Sequence, residues 1–221
     1  VLNTYYRAGG KGADEPYKLT PMYKIKTSLA GLRLTVAANF AEVFLAKEGH
    51  DGKVGINFLE KIQLPHLASI YGAMLAGVNY VLMGAGIPRQ IPGVLDSLSQ
   101  HLKSRYKLAV ENESNEEETY TEFDPAEVIG LPSAYPLTRP CFVAIIASAT
   151  LALSLSKKAS GYVDGFVIEY PVAGGHNAPP RGQLQLTERG EPIYGPKDDV
   201  DLERIAAIGR PFWLAGGYAD P

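Results

Sequence analysis

Short apolar runs alternate with amphipathic stretches along most of this chain. Val54-Gly55-Ile56-Asn57-Phe58 has the length and composition of a strand. Pro65 then opens a stretch in which Leu67, Ile70, Tyr71, Met74 and Leu75 recur at the helical period. Gly77 suits the left-handed residue that stops a helix, and Tyr80-Val81-Leu82-Met83 predicts the next strand. Pro92 opens a second helix, with Ile91, Val94, Leu95, Leu98 and Leu102 along one face. Further strands are predicted at Phe142-Val143-Ala144-Ile145-Ile146, Phe166-Val167-Ile168 and Phe212-Trp213-Leu214. Asp198 and Asp199 are placed to cap a helix carrying Leu202, Ile205 and Ala206, which Gly209 and Pro211 end. Upstream, Leu34-Thr35-Val36-Ala37-Ala38 reads as one more strand, followed by a helix over 40–47.

Strands that are apolar on both faces and are joined by helices predict a parallel α/β sheet. The repeats of about 25 residues suit βα units with short connections. Two insertions interrupt the rhythm of what reads as a single domain over 1–221, with 1–33 as a peripheral lead-in. The stretch 107–140 holds an acidic run over 111–118 and several prolines, the pattern of a solvated excursion. The stretch 177–197 is rich in Gly, Pro and polar residues and directly follows a strand end. Loops at the carboxyl ends of parallel strands carry the chemistry of such sheets, which makes this second insertion the more informative.

Composition narrows the function classes. A formal net charge of −3 provides no basic stripe for a phosphate backbone, so nucleic acid is not an expected partner. Cys141 is the only cysteine, which excludes an intrachain disulfide and fits a reducing, cytoplasmic setting. The apolar run 142–155 is too short to span a bilayer and reads as a strand entering a helix. Val1-Leu2-Asn3-Thr4 has neither an initiator Met nor a signal-peptide layout, so the chain is expected to begin inside a longer protein. No HExxH, paired CxxC or P-loop occurs, and no metal is expected. Gly84-Ala85-Gly86 falls short of a dinucleotide fingerprint. His50 and His101 read as surface residues near helix ends, and His66 stands at a helix start.

Chemistry concentrates at Glu169-Tyr170-Pro171-Val172-Ala173-Gly174-Gly175-His176, directly after a predicted strand. Adjacent glycines let the backbone approach a bound group closely and offer unhindered amides to an anion or a flavin. A histidine just beyond stands where an imidazole can exchange protons near neutral pH. The same residues also suit a Gly-rich turn followed by a surface histidine.

Ala173-Gly174-Gly175-His176 after an apolar strand resembles the hallmark of the nitronate monooxygenase family, formerly called 2-nitropropane dioxygenases. It is also similar to the motif of flavin-containing enoyl-acyl-carrier-protein reductases. Four more segments stand in the family's order: Val54-Gly55-Ile56-Asn57, Met83-Gly84-Ala85-Gly86-Ile87-Pro88, Ile146-Ala147-Ser148-Ala149 and Leu214-Ala215-Gly216-Gly217. The resemblance runs at least over 54–217. It implies a parallel (β/α)8 TIM-type barrel that binds FMN, present here as an incomplete fragment.

The resemblance also implies roles. Asn57 corresponds to an FMN-contacting position, Gly84 and Ala85 would lie beside the isoalloxazine, and Glu169 would stand near the flavin. Gly174 and Gly175 would pack against the cofactor, while Gly216 and Gly217 would donate amides to its phosphate. His176 matches the residue that takes the acidic α-proton of a nitroalkane or holds the nitronate anion, the substrate that such enzymes oxidise with O2. Relatives usually have Gly where this chain has Ala178, within Asn177-Ala178-Pro179-Pro180-Arg181-Gly182. That departure suggests a distinct subgroup, with Arg181 near the mouth to meet an anionic substrate. The family's opening Gly-Gly-Met strand and closing Gly-Thr strand are both missing from the sequence, and unpaired sheet edges are expected. Two alternatives remain open: an NAD(P)H-dependent enoyl-thioester reductase on the same scaffold, and a non-catalytic flavin-binding module of a larger biosynthetic protein. The expected partner is a small molecule, nitronate or enoyl thioester, not a membrane; the oligomeric state is open.

Overall fold

The computed structural model describes residues 1–110, 118–130, 136–174 and 178–217. In chain order the elements are α1 (Leu2–Tyr5), α2 (Leu29–Ala46), β1 (Gly55–Leu59), α3 (His66–Leu75), β2 (Tyr80–Gly84), α4 (Ile91–Ser99), β3 (Ser104–Lys107), β4 (Tyr120–Phe123), α5 (Pro125–Ile129), β5 (Cys141–Ile146), α6 (Ala149–Lys158), β6 (Gly165–Glu169), α7 (Leu202–Ala206) and β7 (Phe212–Ala215). They fall into two compact units, one of Val1–Val54, Ile62–Asn79 and Val94–Pro140, the other of Gly55–Lys61, Tyr80–Gly93 and Cys141–Pro221.

The first unit is built on two helices. The stretch expected to be a strand over 34–38 with a helix after it is instead one continuous helix, α2, capped by the Ser28 hydroxyl accepting from the Gly31 amide. Neither Gly nor Pro separates Leu34 to Ala38 from 40–47, and Asn39 between them turns its side chain back to donate to the Thr35 carbonyl at 3.0 Å, so the helical ladder runs through. α2 crosses α3 at close range. A Cβ at Gly72 would lie 2.4 Å from the Val36 carbonyl oxygen, so glycine at this point is what permits the crossing. By length and composition alone α2 is apolar enough to cross a membrane, with mean hydropathy 1.4. The lysine at its end, Lys47, donates to the Gly77 carbonyl after α3, at 2.6 Å.

The described part of the insertion 107–140 contains regular structure. β3 and β4 form an antiparallel pair, and Asp124 caps α5 by accepting from the Ala126 amide at 2.9 Å. Phe123 and Val128 are buried, because alternation along β4 turns Thr121 and Phe123 inward while Tyr120 and Glu122 stay outside. Of the acidic run only Glu118 lies among the described residues, and it pairs with Lys107.

The second unit is a five-stranded sheet in the order β1-β2-β5-β6-β7, every pairing parallel. All five strands stand within a residue or so of the predicted runs. The order follows the chain without reversal. Among the described residues β1 and β7 do not pair, so the sheet is open and no closed barrel is present. Residues in register share a face. Val81, Met83, Phe142, Ala144, Phe166 and Ile168 make one face, each at 0% exposure. The opposite face carries Leu59, Leu82, Ile145, Val167 and Trp213, which are half-buried or exposed, Trp213 at 49%, around a buried Val143 in the middle strand. The expectation of burial on both faces is therefore met on one face only. Both faces are apolar in sequence, which is the signal that was read, but only one is covered.

Asp198 and Asp199 do not cap α7; Asp201 does, accepting from the Arg204 amide at 3.0 Å. Two residues farther along, Asp201 is the carboxylate that reaches the first free amides of the helix.

Candidate functional site at the carboxyl ends of the parallel strands

The amino ends and carboxyl ends of the five strands differ in kind. At the amino ends, the Asp164 carboxylate accepts from the Phe142 amide at 2.7 Å, and Arg210 donates to the Val163 carbonyl at 2.6 Å while covering the Tyr162 ring. These contacts tie strand starts together. At the carboxyl ends stand the glycine-bearing turns and the only acidic residue at a strand terminus, Glu169.

Each residue singled out from the sequence can be placed, with two exceptions. Gly175 and His176 lie outside the described residues. Asn57 is exposed in the middle of β1, in register with Leu82 and on the half-open face. Gly84 ends β2 on the same face, where an added Cβ would meet the Ile145 side chain at 3.0 Å. Ala85 follows in a left-handed conformation, φ 57°, uncommon for a residue with a Cβ. Its turn is held by the Glu60 amide donating to the Gly84 carbonyl at 2.8 Å. Glu169 ends β6 in register with Ala215 of β7, again on the half-open face. The sheet thus brings Gly84, Ala85, Glu169, Gly174, Gly216 and Gly217 to one edge.

Two of the glycine turns touch. Gly216 sits at φ 108°, and a Cβ there would lie 2.7 Å from the Ala173 amide nitrogen, so the turn after β7 is seated against the turn after β6. Among the described residues, no atom lies within 4 Å of where a Cβ at Gly174 would be. Neither Gly216 nor Gly217 has its amide engaged by another described residue. Two consecutive unclaimed amides beside an open glycine suit an anionic group and a flat ring lying against backbone. On that observation the residues present fit FMN.

Arg181 is engaged by its own protein. Its Nη1 donates to the Lys197 carbonyl at 2.7 Å and its Nη2 to the Ala147 carbonyl at 2.9 Å. Its amide donates to Asp198 Oδ1 at 2.7 Å, while the Gly195 amide donates to Asp198 Oδ2 at 2.8 Å. These amides, Gly195 first and Arg181 second, hold the Asp198 carboxyl below the ordinary aspartate range. Asp198 is the residue that sequence reasoning misplaced. An aspartate three residues after a glycine in Gly195-Pro196-Lys197-Asp198 was the available sign of a side chain folding back on its own turn.

The remaining histidines lie elsewhere. His66 is 1% exposed and meets Tyr106 edge to face, so its place at a helix start made it a core residue of the first unit. His101 shares a 2.7 Å hydrogen bond with the Tyr71 hydroxyl, and His50 one with the Ala46 carbonyl. Among the described residues no cluster of His, Cys, Asp or Glu could hold a metal ion. Compared with known proteins, the chain matches no family model and no curated protein.

Proposed function

We propose that the chain is the FMN-binding part of a flavin-dependent oxidoreductase of nitronate monooxygenase type, its sheet an arc of a parallel β/α barrel. The observation that carries this reading is the gathering of Gly84, Gly174, Gly216 and Gly217 on the carboxyl edge of one parallel sheet. Ligands of parallel α/β folds are bound at that edge. The strand order supports a barrel arc over a doubly wound sheet, because a doubly wound sheet reverses its order at a switch point and this one does not. The half-open apolar face supports it too, since barrel strands fill their interior with layers of such side chains.

In this reading the amides of Gly216 and Gly217 hold the phosphate, and Gly174 leaves room for the ring. A flavin held there would supply the redox chemistry for oxidising the substrate with dioxygen. His176, outside the described residues, takes the carbon-bound proton of a nitroalkane or holds the nitronate anion. Glu169 lies beside the same edge and sets its charge.

The test has two steps. The purified protein should be yellow and release FMN; release of FAD, or no flavin, overturns the cofactor assignment. His176→Asn should then keep FMN and lose about 10²-fold or more on neutral nitroalkane, the usual scale of general acid–base catalysis. Its loss on preformed nitronate should be much smaller, because that proton is already gone. Equal losses on both substrates would assign His176 to anion binding, and no loss on either would remove it from the chemistry. Reduction of an enoyl thioester by NADPH, without nitronate oxidation, would move the chain to the reductase class.

A further inference from the structure

The stretch 178–198 folds back on itself and is fastened at its base. Leu186 bridges Pro192, the Ile193 amide donates to the Gln185 carbonyl, and the Thr187 amide to the Glu191 carbonyl. Below this small hairpin, Tyr194 donates its hydroxyl to the Ala178 carbonyl at 3.0 Å. The Asp198 carboxylate joins the two legs by accepting from both the Arg181 and the Gly195 amides. A side-chain bond ties this closed loop to a strand end. It runs from the Arg181 guanidinium to the carbonyl of Ala147, the residue after β5.

We infer that residues 178–198 form a strap across the carboxyl ends of β5 and β6, and that Arg181 is the positioning residue that pins it and so controls access to Glu169. The space left between Ala147, Glu169, Tyr170, Arg181, Tyr194 and Asp198, partly open to solvent, is about 30 Å³. That volume holds about one or two water molecules and no substrate. The strap therefore narrows this side of the strand ends while the pin holds, and a substrate-sized ligand reaching the half-buried Glu169 from here needs the pin released. A guanidinium suits the task because its planar fork serves two carbonyls at once, Lys197 on the strap and Ala147 on the scaffold. A lysine presents a single point charge and cannot span both in one plane.

Asp198 makes the pin sensitive to acid. The charged and titratable groups around it are Arg181, Glu169, Tyr170 and Tyr194, with Lys197 and Asp199 beside it in the chain. Its folded-state value is depressed, so its contribution is present above the ordinary aspartate value and is lost as pH falls through the folded value. Loosening of the strap is thus an acid transition, and Asp198→Asn abolishes its pH dependence by leaving one of the two amides without an acceptor at every pH.

The experiment compares the wild-type chain with Arg181→Met, Arg181→Lys and Asp198→Asn by hydrogen exchange, and by carbodiimide labelling of Glu169 read by mass spectrometry. Neither measurement depends on a bound flavin or on turnover, so the inference stands or falls apart from the proposed activity. Arg181→Met and Arg181→Lys should raise exchange over 193–198 and labelling of Glu169 by about tenfold or more, with exchange in β5 and β6 unchanged. Asp198→Asn should show the loosened state already at neutral pH, with no further acid transition. Wild-type rates over 193–198 and at Glu169 in the variants would overturn the inference, as would full rescue by lysine. Loss of protection throughout β5 and β6 would also overturn it, making Arg181 a general structural residue.

Discussion

At the residue scale, two turns on the carboxyl edge of the sheet make opposite predictions from the same backbone physics. Ala85 and Gly216 both adopt positive φ, 57° and 108°. An alanine in the left-handed region carries about 1–2 kcal/mol of Cβ strain, partly offset by the larger chain entropy that a glycine would lose. Ala85→Gly should therefore raise unfolding stability by about 0.5–1 kcal/mol, read by urea denaturation. Gly216→Ala should lower it by about 2 kcal/mol or more, because its Cβ would also enter the space of the Ala173 amide. An unchanged midpoint in Gly216→Ala would show that the turns after β6 and β7 do not touch in solution. The strand-end turns were legible at this scale. A glycine pair after an apolar run announces a strand-end turn without knowledge of the fold. The partners of Arg181 were not legible, because a long cationic side chain reads identically whether it meets a substrate anion or two backbone carbonyls 16 and 34 residues away.

At the element scale, the five strands of the sheet were legible because each is a short apolar run fenced by Gly, Pro or polar residues, as Phe166-Val167-Ile168 is by Gly165 and Glu169. The helix α2 was not, since Leu34-Thr35-Val36-Ala37-Ala38 satisfies a strand pattern equally well and only tertiary contact decides. That contact is the crossing with α3, where Gly72 lies beneath the Val36 carbonyl. Gly72→Ala improves intrinsic helix propensity by about 1 kcal/mol and yet should destabilise the chain by about 1–3 kcal/mol, since neither backbone can yield without moving a helix. A neutral or stabilising result in thermal denaturation would mean that the two helices stand farther apart than 2.4 Å from Cβ to oxygen allows. A milder case is Ser148, whose hydroxyl accepts from the Leu151 amide at 3.1 Å and caps α6. It lies inside a segment that resembles the flavoprotein family, but its contact is a cap. Ser148→Ala should cost about 1 kcal/mol in stability. If the proposed flavin binds, its content in that variant should follow wild type.

At the scale of the whole molecule, the decisive asymmetry is between the two faces of the parallel sheet. Parallel sheets are ordinarily covered on both sides, and the alternating residues here are apolar on both. Ile168 and Val167 are adjacent in β6, with Ile168 at 0% exposure on the closed face and Val167 half-buried on the open one. A carboxylate at Ile168 would be buried without a partner, which costs several kcal/mol and should leave the chain unfolded. A carboxylate at Val167 can reach water across the open face, so Val167→Asp should cost only about 1 kcal/mol in the 221-residue chain. Chemical denaturation at low protein concentration reads both variants. Trp213, the only tryptophan and in register with Val167, reports on the open face directly through its emission and its access to iodide. If Val167→Asp costs as much as Ile168→Asp and Trp213 resists iodide, the face is covered in solution and the open sheet is the wrong description. If Trp213 becomes shielded only as concentration rises, and Val167→Asp prevents it, two copies cover each other's faces. A barrel arc makes a different demand: a longer chain supplying further strands would seal the face from within, so the two costs would converge and Trp213 would be shielded at every concentration.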